Sequence, residues 1–530
     1  LGGKWISPKP GTDAALAQAI CHVWLTEGLY DKTFVAERTT GFDEWRAYIL
    51  GETDGVAKTP EWQAQETGVP ARDVRALARE WGTKKTYLGA GGWGVGLGGA
   101  GRSPMGAQWA RMMTILGAMQ GYGRPGSNFG NLQFGAPLDF NFYFPGYGEG
   151  SFSGELMTSA NSANNYQRMP HIVTMSSVRQ AIPRMWFPEA ITQGKAMGYL
   201  TDVASIQGQF FPFGYPSPGH VRVEMLYKYG SSSIGTQVAS NRWIKAYQHE
   251  SLKFVVNQSV WWEGETVFAD VILPACTVFE RWDIGEWYNV GAGYVHHMYS
   301  MNNHRVIALQ HKAIEPLGES KSDYDIFLAI AEKLDLGSVY SEGGTSEYDW
   351  CKRVFDSSDL SKRTTWREFL KKGYYVVPPD PEAARAPTAN RWFYEGRKKD
   401  TPEPYPLPSE YVAGLGKGLQ TPSGKFEFVA TTLKRIDDPD RPPLNKYMPV
   451  YEDKTREPEL AEFPLQLLSP HSRYPFHLMG DDEGCSLRDI REHRVFKDGH
   501  YYLVARINRQ DAEARGIKDD DLLRLWNNRG

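Results

Sequence analysis

The chain has 530 residues, several times the usual size of one domain, so roughly three or four domains is the natural expectation. Hydrophobic residues make up 41% and charged residues 23%, the balance of an ordinary soluble globular protein. A net charge of −4 gives no electrostatic case for nucleic acid, which needs clustered Lys and Arg, and no run approaches the roughly 18 apolar residues of a membrane span.

The first element is a helix opened by Pro8-Lys-Pro-Gly-Thr-Asp13, with Leu16, Ile20 and Val23 on one face. Thr12 stands at its N-cap position and Asp13 suits the positive end of its dipole. Val74, Leu77 and Trp81 fall at helical spacing and predict a second helix over residues 70–81. Thr86-Tyr-Leu reads as a short strand entering a glycine-rich loop at residues 89–101, and a third helix follows over residues 104–119. Helix, strand, glycine loop, helix is the rhythm of an α/β layered domain. Residues 121–165 are rich in Gly, Asn, Phe and Tyr and lack periodicity, the character of a functional loop region.

Further along, Lys253-Phe-Val-Val and Val271-Ile-Leu read as buried strands, and Ser322 with Asp325 has capping-box spacing. Residues 377–409 are dense in Pro and charge, which predicts a meandering surface segment. Residues 459–530 alternate short strands with turns, as a β-barrel does, and Asp521-Leu-Leu-Arg-Leu-Trp526 reads as a strand before a turn. The chain opens on Leu1 and stops at that turn, so we read it as a piece of a longer protein. The expected division is an α/β dinucleotide-binding domain at 1–130, a second α/β domain with aromatic substrate loops at 131–345, an irregular connection at 346–458, and the start of a barrel at 459–530.

Two motifs invite assignments that their surroundings weaken. Gly94-Val-Gly96-Leu-Gly-Gly99 matches the nicotinamide fingerprint, yet the acidic residue expected about 20 positions on is absent. A loop shaping another cofactor's pocket, or a structural cluster of turns, fits it better. His296 and His297 are neighbours, and neighbours on a strand point in opposite directions, so they make no chelating pair. Cys21, Cys276, Cys351 and Cys485 lie far apart without C-x-x-C spacing, so we expect neither zinc nor an iron–sulfur cluster in this stretch. Scattered cysteines also favour a reducing compartment, hence the cytoplasm.

Five stretches in order carry a resemblance. They are Pro10-Gly11-Thr12-Asp13, Gly121-Tyr-Gly-Arg124-Pro-Gly126-Ser-Asn128, Phe268-Ala-Asp270-Val-Ile-Leu-Pro274 continuing to Glu280-Arg281, Thr421-Pro-Ser423-Gly-Lys425-Phe-Glu427, and Ile507-Asn508 through Asp511 to Gly516. Together they resemble the dimethyl sulfoxide reductase family of molybdopterin oxidoreductases. That implies an α/β multidomain fold ending in a double-psi-like β-barrel, here incomplete, and molybdenum on two molybdopterin guanine dinucleotides. Thr33-Phe-Val-Ala, the Pro145-Gly146-Tyr147 loop, the Glu280-Arg281-Trp282-Asp283 segment and Lys372-Gly-Tyr-Tyr-Val-Val-Pro378 are similar to the family's transhydroxylase branch. Those enzymes pass a hydroxyl from a tetrahydroxybenzene to pyrogallol, giving phloroglucinol, in anaerobic aromatic degradation.

The resemblance also implies site residues and a partner. Tyr147 and Tyr294 match the two pocket tyrosines of that branch; a phenol can hold a substrate hydroxyl and pass its proton. Gly11, Thr12 and Asp13 suit one phosphate-and-guanine anchor, and Asn257, Gln258 and Asp270 a second. Ser469, His471, Arg473 and His477 lie on a loop that touches the pterin in the family, while Asn508 and Asp511 suit guanine. Asp13 also fits plain helix-terminal decoration, and Asp511 a plain turn. The metal ligand and further pocket groups are expected upstream of Leu1, and the loop around Trp93 departs from the branch by one residue. An iron–sulfur small subunit is implied as partner. A catechol dehydroxylase, another molybdopterin reductase, or a scaffold subunit without metal remain the alternatives.

Overall fold

The computed structural model describes residues 3–89, 105–124, 127–130, 180, 182, 184–200, 211–230, 232–237, 239–286, 306–378, 391–396, 419, 421–450, 462–469, 474 and 486–527. The first helix, α1 (Asp13–Glu27), buries Ala14, Ala15, Ala17, Ala19, Ile20, Cys21, Val23 and Trp24, so it is enclosed on most sides rather than on one stripe. Small alanines let neighbours approach closely. Packed on or near it are α2 (Lys32–Arg38), α3 (Phe42–Ile49), α4 (Pro60–Thr67), α5 (Ala71–Thr83) and α6 (Gly106–Met119). Asp31 caps α2 by accepting from the Phe34 amide at 2.9 Å, and Thr59 caps α4 through the Trp62 amide at 3.1 Å. Trp24 donates its indole N–H to the Ala78 carbonyl at 2.7 Å and meets Trp81 edge-on, ring centres 5.1 Å apart.

Later chain returns to this core. The short strand β1 (Thr39–Thr40) pairs in parallel with Phe426–Glu427, and β2 (Thr86–Gly89) with β3 (Ser127–Gly130). Phe428 is fully buried against Trp45, their ring centres 5.2 Å apart. From α6, the Arg111 guanidinium donates to the carbonyls of Pro442 (2.8 Å) and Pro443, and Asn445 donates to the Gln108 carbonyl at 3.0 Å. Burial pulls Arg111 down to about 10. These contacts lay residues 440–450 along the helical core.

The next layer contains the antiparallel pair β4 (Ala196–Leu200) and β5 (Phe211–Tyr215), and a parallel sheet of β6 (Met225–Tyr229), β7 (Phe254–Ser259) and β8 (Val271–Pro274) with β7 central. Helices α7 (Phe187–Thr192), α8 (Ser233–Thr236) and α9 (Ser240–Tyr247) accompany the sheet. Phe187 stacks on Trp243 at 5.4 Å, and Val255 lies in the same core. Val271 and Ile272, expected to be buried, are 38% and 43% exposed. β8 is the sheet's edge among the described residues, and these two consecutive residues, which face opposite sides of the sheet, are both left partly open.

A second sheet is antiparallel, in the order β11 (Tyr374–Val376), β10 (Val306–Gln310), β9 (Asp283–Glu286). It packs with α11 (Glu347–Ser357) and α12 (Trp366–Lys372) around Ile307, Leu309, Phe355 and Phe369, while α10 (Asp323–Lys333) lies against β6 through Phe327. Ser322 caps α10 through the Asp325 amide at 3.1 Å, at the spacing read from the sequence. Toward the C-terminal end, Arg494–Lys497 and His500–Leu503 form a hairpin. Asp521–Trp526 takes no strand assignment, and no closed barrel is present among the described residues. Leu522, Leu523, Leu525 and Trp526 are exposed there, since strand propensity alone forms no strand without a neighbour to pair with.

Candidate functional site

Two places gather the expected cofactor residues, and each is built by a helix or sheet terminus. At the head of α1, Gly11 takes φ +80, a left-handed turn that glycine adopts without penalty. Thr12 is the N-cap, but its hydroxyl donates to the Lys9 carbonyl at 2.6 Å and caps no helix amide. Thr12 thus caps none of the opening N–H groups of the 15-residue helix, of which the Asp13 carboxylate accepts only its own, and helix N-termini left open in this way receive anions. Asp13 lies in the same turn, and partial burial raises its carboxyl above the ordinary value.

The second place is the carboxyl edge of the β6–β7–β8 sheet, where open parallel sheets bind ligands. Asn257 and Gln258 lie in the last half of β7, just before Ser259, and, being consecutive, face opposite sides of the sheet. Gln258 is held at both ends of its amide: it donates to Asp323 Oδ1 at 2.7 Å and accepts from the Tyr227 hydroxyl. The Tyr227 and Tyr229 rings flank Phe327, 5.7 and 5.8 Å from it centre to centre. Burial, reinforced by the Asp323 charge, pushes Tyr229 up to about 12 and raises Tyr227 as well. On the other face, Asn257 donates to the Thr266 hydroxyl at 2.9 Å. Its side-chain oxygen Oδ1 is buried and has no donor among the described residues.

Asp270 stands at the opposite end of the strands. Its Oδ2 accepts from the Val255 amide at 2.7 Å, and its amide donates to the Val255 carbonyl at 2.8 Å. Gln258 is three residue steps along the strand from Val255, on the order of 10 Å, so the structure does not bring Asp270 and Gln258 together. Asn508 caps the helix Arg509–Glu513 through the Gln510 amide at 2.9 Å, and Asp511 on that helix lies 3.4 Å from Arg515 just beyond it. Ser469 is exposed. Tyr147, Tyr294, His471, Arg473 and His477 lie outside the described residues, as do Trp93, the Gly94–Gly99 loop, His296 and His297. Sequence reasoning passed over Tyr227, Tyr229 and Asp323, and also the buried charges Lys228, Glu263 and Glu265. The two acids of Glu263-Gly-Glu265 were a visible signal, but burial of charge carries no local sequence mark.

Residues 3–333 match the sequence model of the molybdopterin oxidoreductases. The chain belongs to the molybdopterin oxidoreductase family. It is 48% identical to the pyrogallol hydroxytransferase large subunit of Pelobacter acidigallici, an alignment spanning 100% of this chain and 62% of that protein. Against a dimethyl sulfoxide/trimethylamine N-oxide reductase of Rhodobacter capsulatus it is 28% identical, over 100% of this chain and 56% of the relative. The chain therefore spans about three-fifths of the length of these relatives. Among solved structures, acetylene hydratase from Pelobacter acetylenicus shares the fold, with a TM-score of 0.53 at 18% identity over 97% of this chain and 59% of that one.

Membership of the molybdopterin oxidoreductases implies a molybdenum–molybdopterin cofactor, and the residues present suit one. The uncapped head of α1 offers N–H groups to a phosphate. The orphaned Asn257 Oδ1, buried at the carboxyl edge of the sheet, calls for an N–H donor such as a heterocycle carries. No helix among the described residues is long and apolar enough to cross a membrane.

Proposed function

We propose that this chain forms most of the catalytic subunit of a molybdenum transhydroxylase, which converts pyrogallol to phloroglucinol with a tetrahydroxybenzene cosubstrate. The observation that carries this is the 48% identity, along the whole chain, to a protein named for pyrogallol hydroxyl transfer. Molybdenum on two molybdopterin guanine dinucleotides supplies the redox chemistry at oxygen when bound. Gly11, Thr12 and Asp13 hold one dinucleotide, and Asn257 and Gln258 contribute to the other. Tyr147 and Tyr294 bind the phenolic hydroxyls of the substrate and hold or pass their protons, for which a phenol of ordinary pKa near about 10 is well matched. The relative's description as a large subunit supports a small-subunit partner, to which we assign the iron–sulfur clusters. The expected setting is an oxygen-free cytoplasm.

The test uses the complete protein, produced with its small subunit and purified without oxygen. Pyrogallol and 1,2,3,5-tetrahydroxybenzene are supplied with no external electron donor, and phloroglucinol is followed by chromatography. Product that depends on the cosubstrate, and that falls at least about a hundredfold in Tyr147→Phe or Tyr294→Phe, supports the reading. Absence of product from protein that holds molybdenum and pterin sinks it, and directs attention to donor-driven dehydroxylation of catechols.

A further inference from the structure

A guanidinium stands between the carboxyl edge of the β6–β7–β8 sheet and the antiparallel sheet that follows. Arg281 Nη1 donates to Asp283 Oδ2 at 2.8 Å, and the Arg281 side chain is only 13% exposed. Asp283 opens β9, and its other oxygen accepts from the Ile284 amide at 2.8 Å. On the first sheet's side, Tyr229 at the end of β6 donates its phenol to Asp323, and the charges of Arg281 and Asp283 both act on that phenol. Asp323 also takes the Gln258 amide, so β6 and β7 both reach the cluster.

The backbone beside Arg281 is tied as well. Gln310 lies opposite Asp283 in the β9–β10 register and donates its amide to the Arg281 carbonyl at 3.2 Å. The Trp282 amide donates to Glu347 Oε2 at 3.1 Å, and the Ser322 hydroxyl, next to Asp323, donates to the same carboxylate. Asp283, Asp323 and Glu347 therefore surround the Arg281 guanidinium; burial acts to lower it, and the three carboxylates outweigh burial and raise it. Without the cation, three like charges would face one another in a space that water screens less than the surface.

We propose that Arg281 is a positioning residue, the joint that fixes the base of the β9–β10 pair against the carboxyl edge of the β6–β7–β8 sheet. A guanidinium suits this task, because its fork of donors and permanent charge meets several carboxylates at once, where an ammonium is a single point. Residues 287–305, the stretch with Tyr294, join β9 to β10, so both ends of that stretch leave from this base. The consequence for catalysis rests on the proposed function: Arg281 sets the cofactor edge and the Tyr294 connection in register. A misplacement of about 1 Å at a reacting group can cost about a hundredfold in rate.

Hydrogen–deuterium exchange and turnover of the complete protein with its small subunit test this, with pterin content measured in parallel. In Arg281→Met, protection of residues 283–286 and 306–310 is expected to fall at least about tenfold, the scale of one lost hydrogen bond to a charged group. Residues 254–259 of β7 are expected to change less than about threefold, which separates a loosened base from general unfolding. Arg281→Lys keeps the charge and is expected to recover part of the protection. Arg281→Met/Asp283→Asn removes both partners, covers a folding defect of the single change, and is expected to loosen the same strands. Unchanged protection at the base, or an equal loss in β7, overturns the joint.

Turnover then separates positioning from plain stability. Tyr294→Phe is expected to cost about a hundredfold in the wild type but less than about tenfold in the Arg281→Met background, where the group is already out of register. Tyr147→Phe is expected to cost about a hundredfold in both backgrounds. The same Tyr294 factor in both backgrounds overturns the positioning role. A base that loosens in protein that holds pterin yet makes no phloroglucinol supports the joint and removes the proposed function instead.

Discussion

A Cβ built on Gly11 would lie 2.7 Å from Val450 Cγ1, so the turn that opens α1 and the chain at residue 450 meet in a contact that only glycine permits. The backbone there has φ +80, which adds strain for any other residue. Gly11→Ala is expected to cost about 1–3 kcal/mol, read as a lower thermal midpoint, and to lower cofactor content. Adding Val450→Ala removes the steric part and leaves the backbone part. A Gly11→Ala protein that melts with the wild type would show that this turn is not fixed by close approach.

Asp270 can be separated from a cofactor role by one substitution. The Val255 amide it accepts from belongs to a residue only 2% exposed, so Asp270→Ala leaves a buried donor unpaired. The expected loss is about 1–3 kcal/mol in denaturant unfolding, with pterin and molybdenum per folded molecule unchanged. Loss of cofactor from protein of near-normal stability would instead mean that this carboxylate reaches the dinucleotide.

The chain Tyr227–Gln258–Asp323 predicts energetic coupling between residues 96 positions apart. Gln258 spends both ends of its amide on Tyr227 and Asp323, so removing either partner loosens its grip on the other. A double-mutant cycle of Tyr227→Phe and Asp323→Ala in stability is expected to give a coupling of about 0.5–2 kcal/mol. Additivity within about 0.3 kcal/mol would mean that Gln258 transmits nothing between them.

What the sequence made legible was local. The spacing of Val74, Leu77 and Trp81 announced α5, and Ser322 with Asp325 announced the start of α10, because periodicity and capping act within a few residues. The Gly11–Asp13 turn was legible for the same reason. Non-local contacts were not: nothing near Arg111 foretells carbonyls some 330 residues later, and nothing near Lys228 foretells Glu263. Charged residues read as surface by default, so a buried Lys–Glu pair is invisible until the fold encloses it. The strand expected at residues 521–526 shows the converse, since local propensity was present and no pairing neighbour lies among the described residues.

Glu280 supplies an acid-stability prediction with a definite sign. Oε1 accepts from the Leu317 amide at 2.6 Å and the Ser320 hydroxyl at 3.1 Å, while Oε2 accepts from the Thr277 amide at 2.7 Å. The carboxylate thereby ties the turn after β8 to the loop that leads into α10. Burial acts to raise this carboxyl, but the donors from Thr277, Leu317 and Ser320 outweigh it and bring it from 4.5 to about 2. A depressed carboxyl contributes stability that is fully present above the unfolded value and is lost as pH falls through the folded value. The window therefore lies between about pH 4.5 and 2, and the contribution is at most roughly 3 kcal/mol. Urea midpoints measured across that window are expected to fall steeply in the wild type. Glu280→Gln should be less stable at neutral pH, because an amide N–H₂ now opposes a backbone donor, and should show a shallower acid slope. Parallel slopes for the two proteins would mean that the acid sensitivity arises elsewhere in the chain.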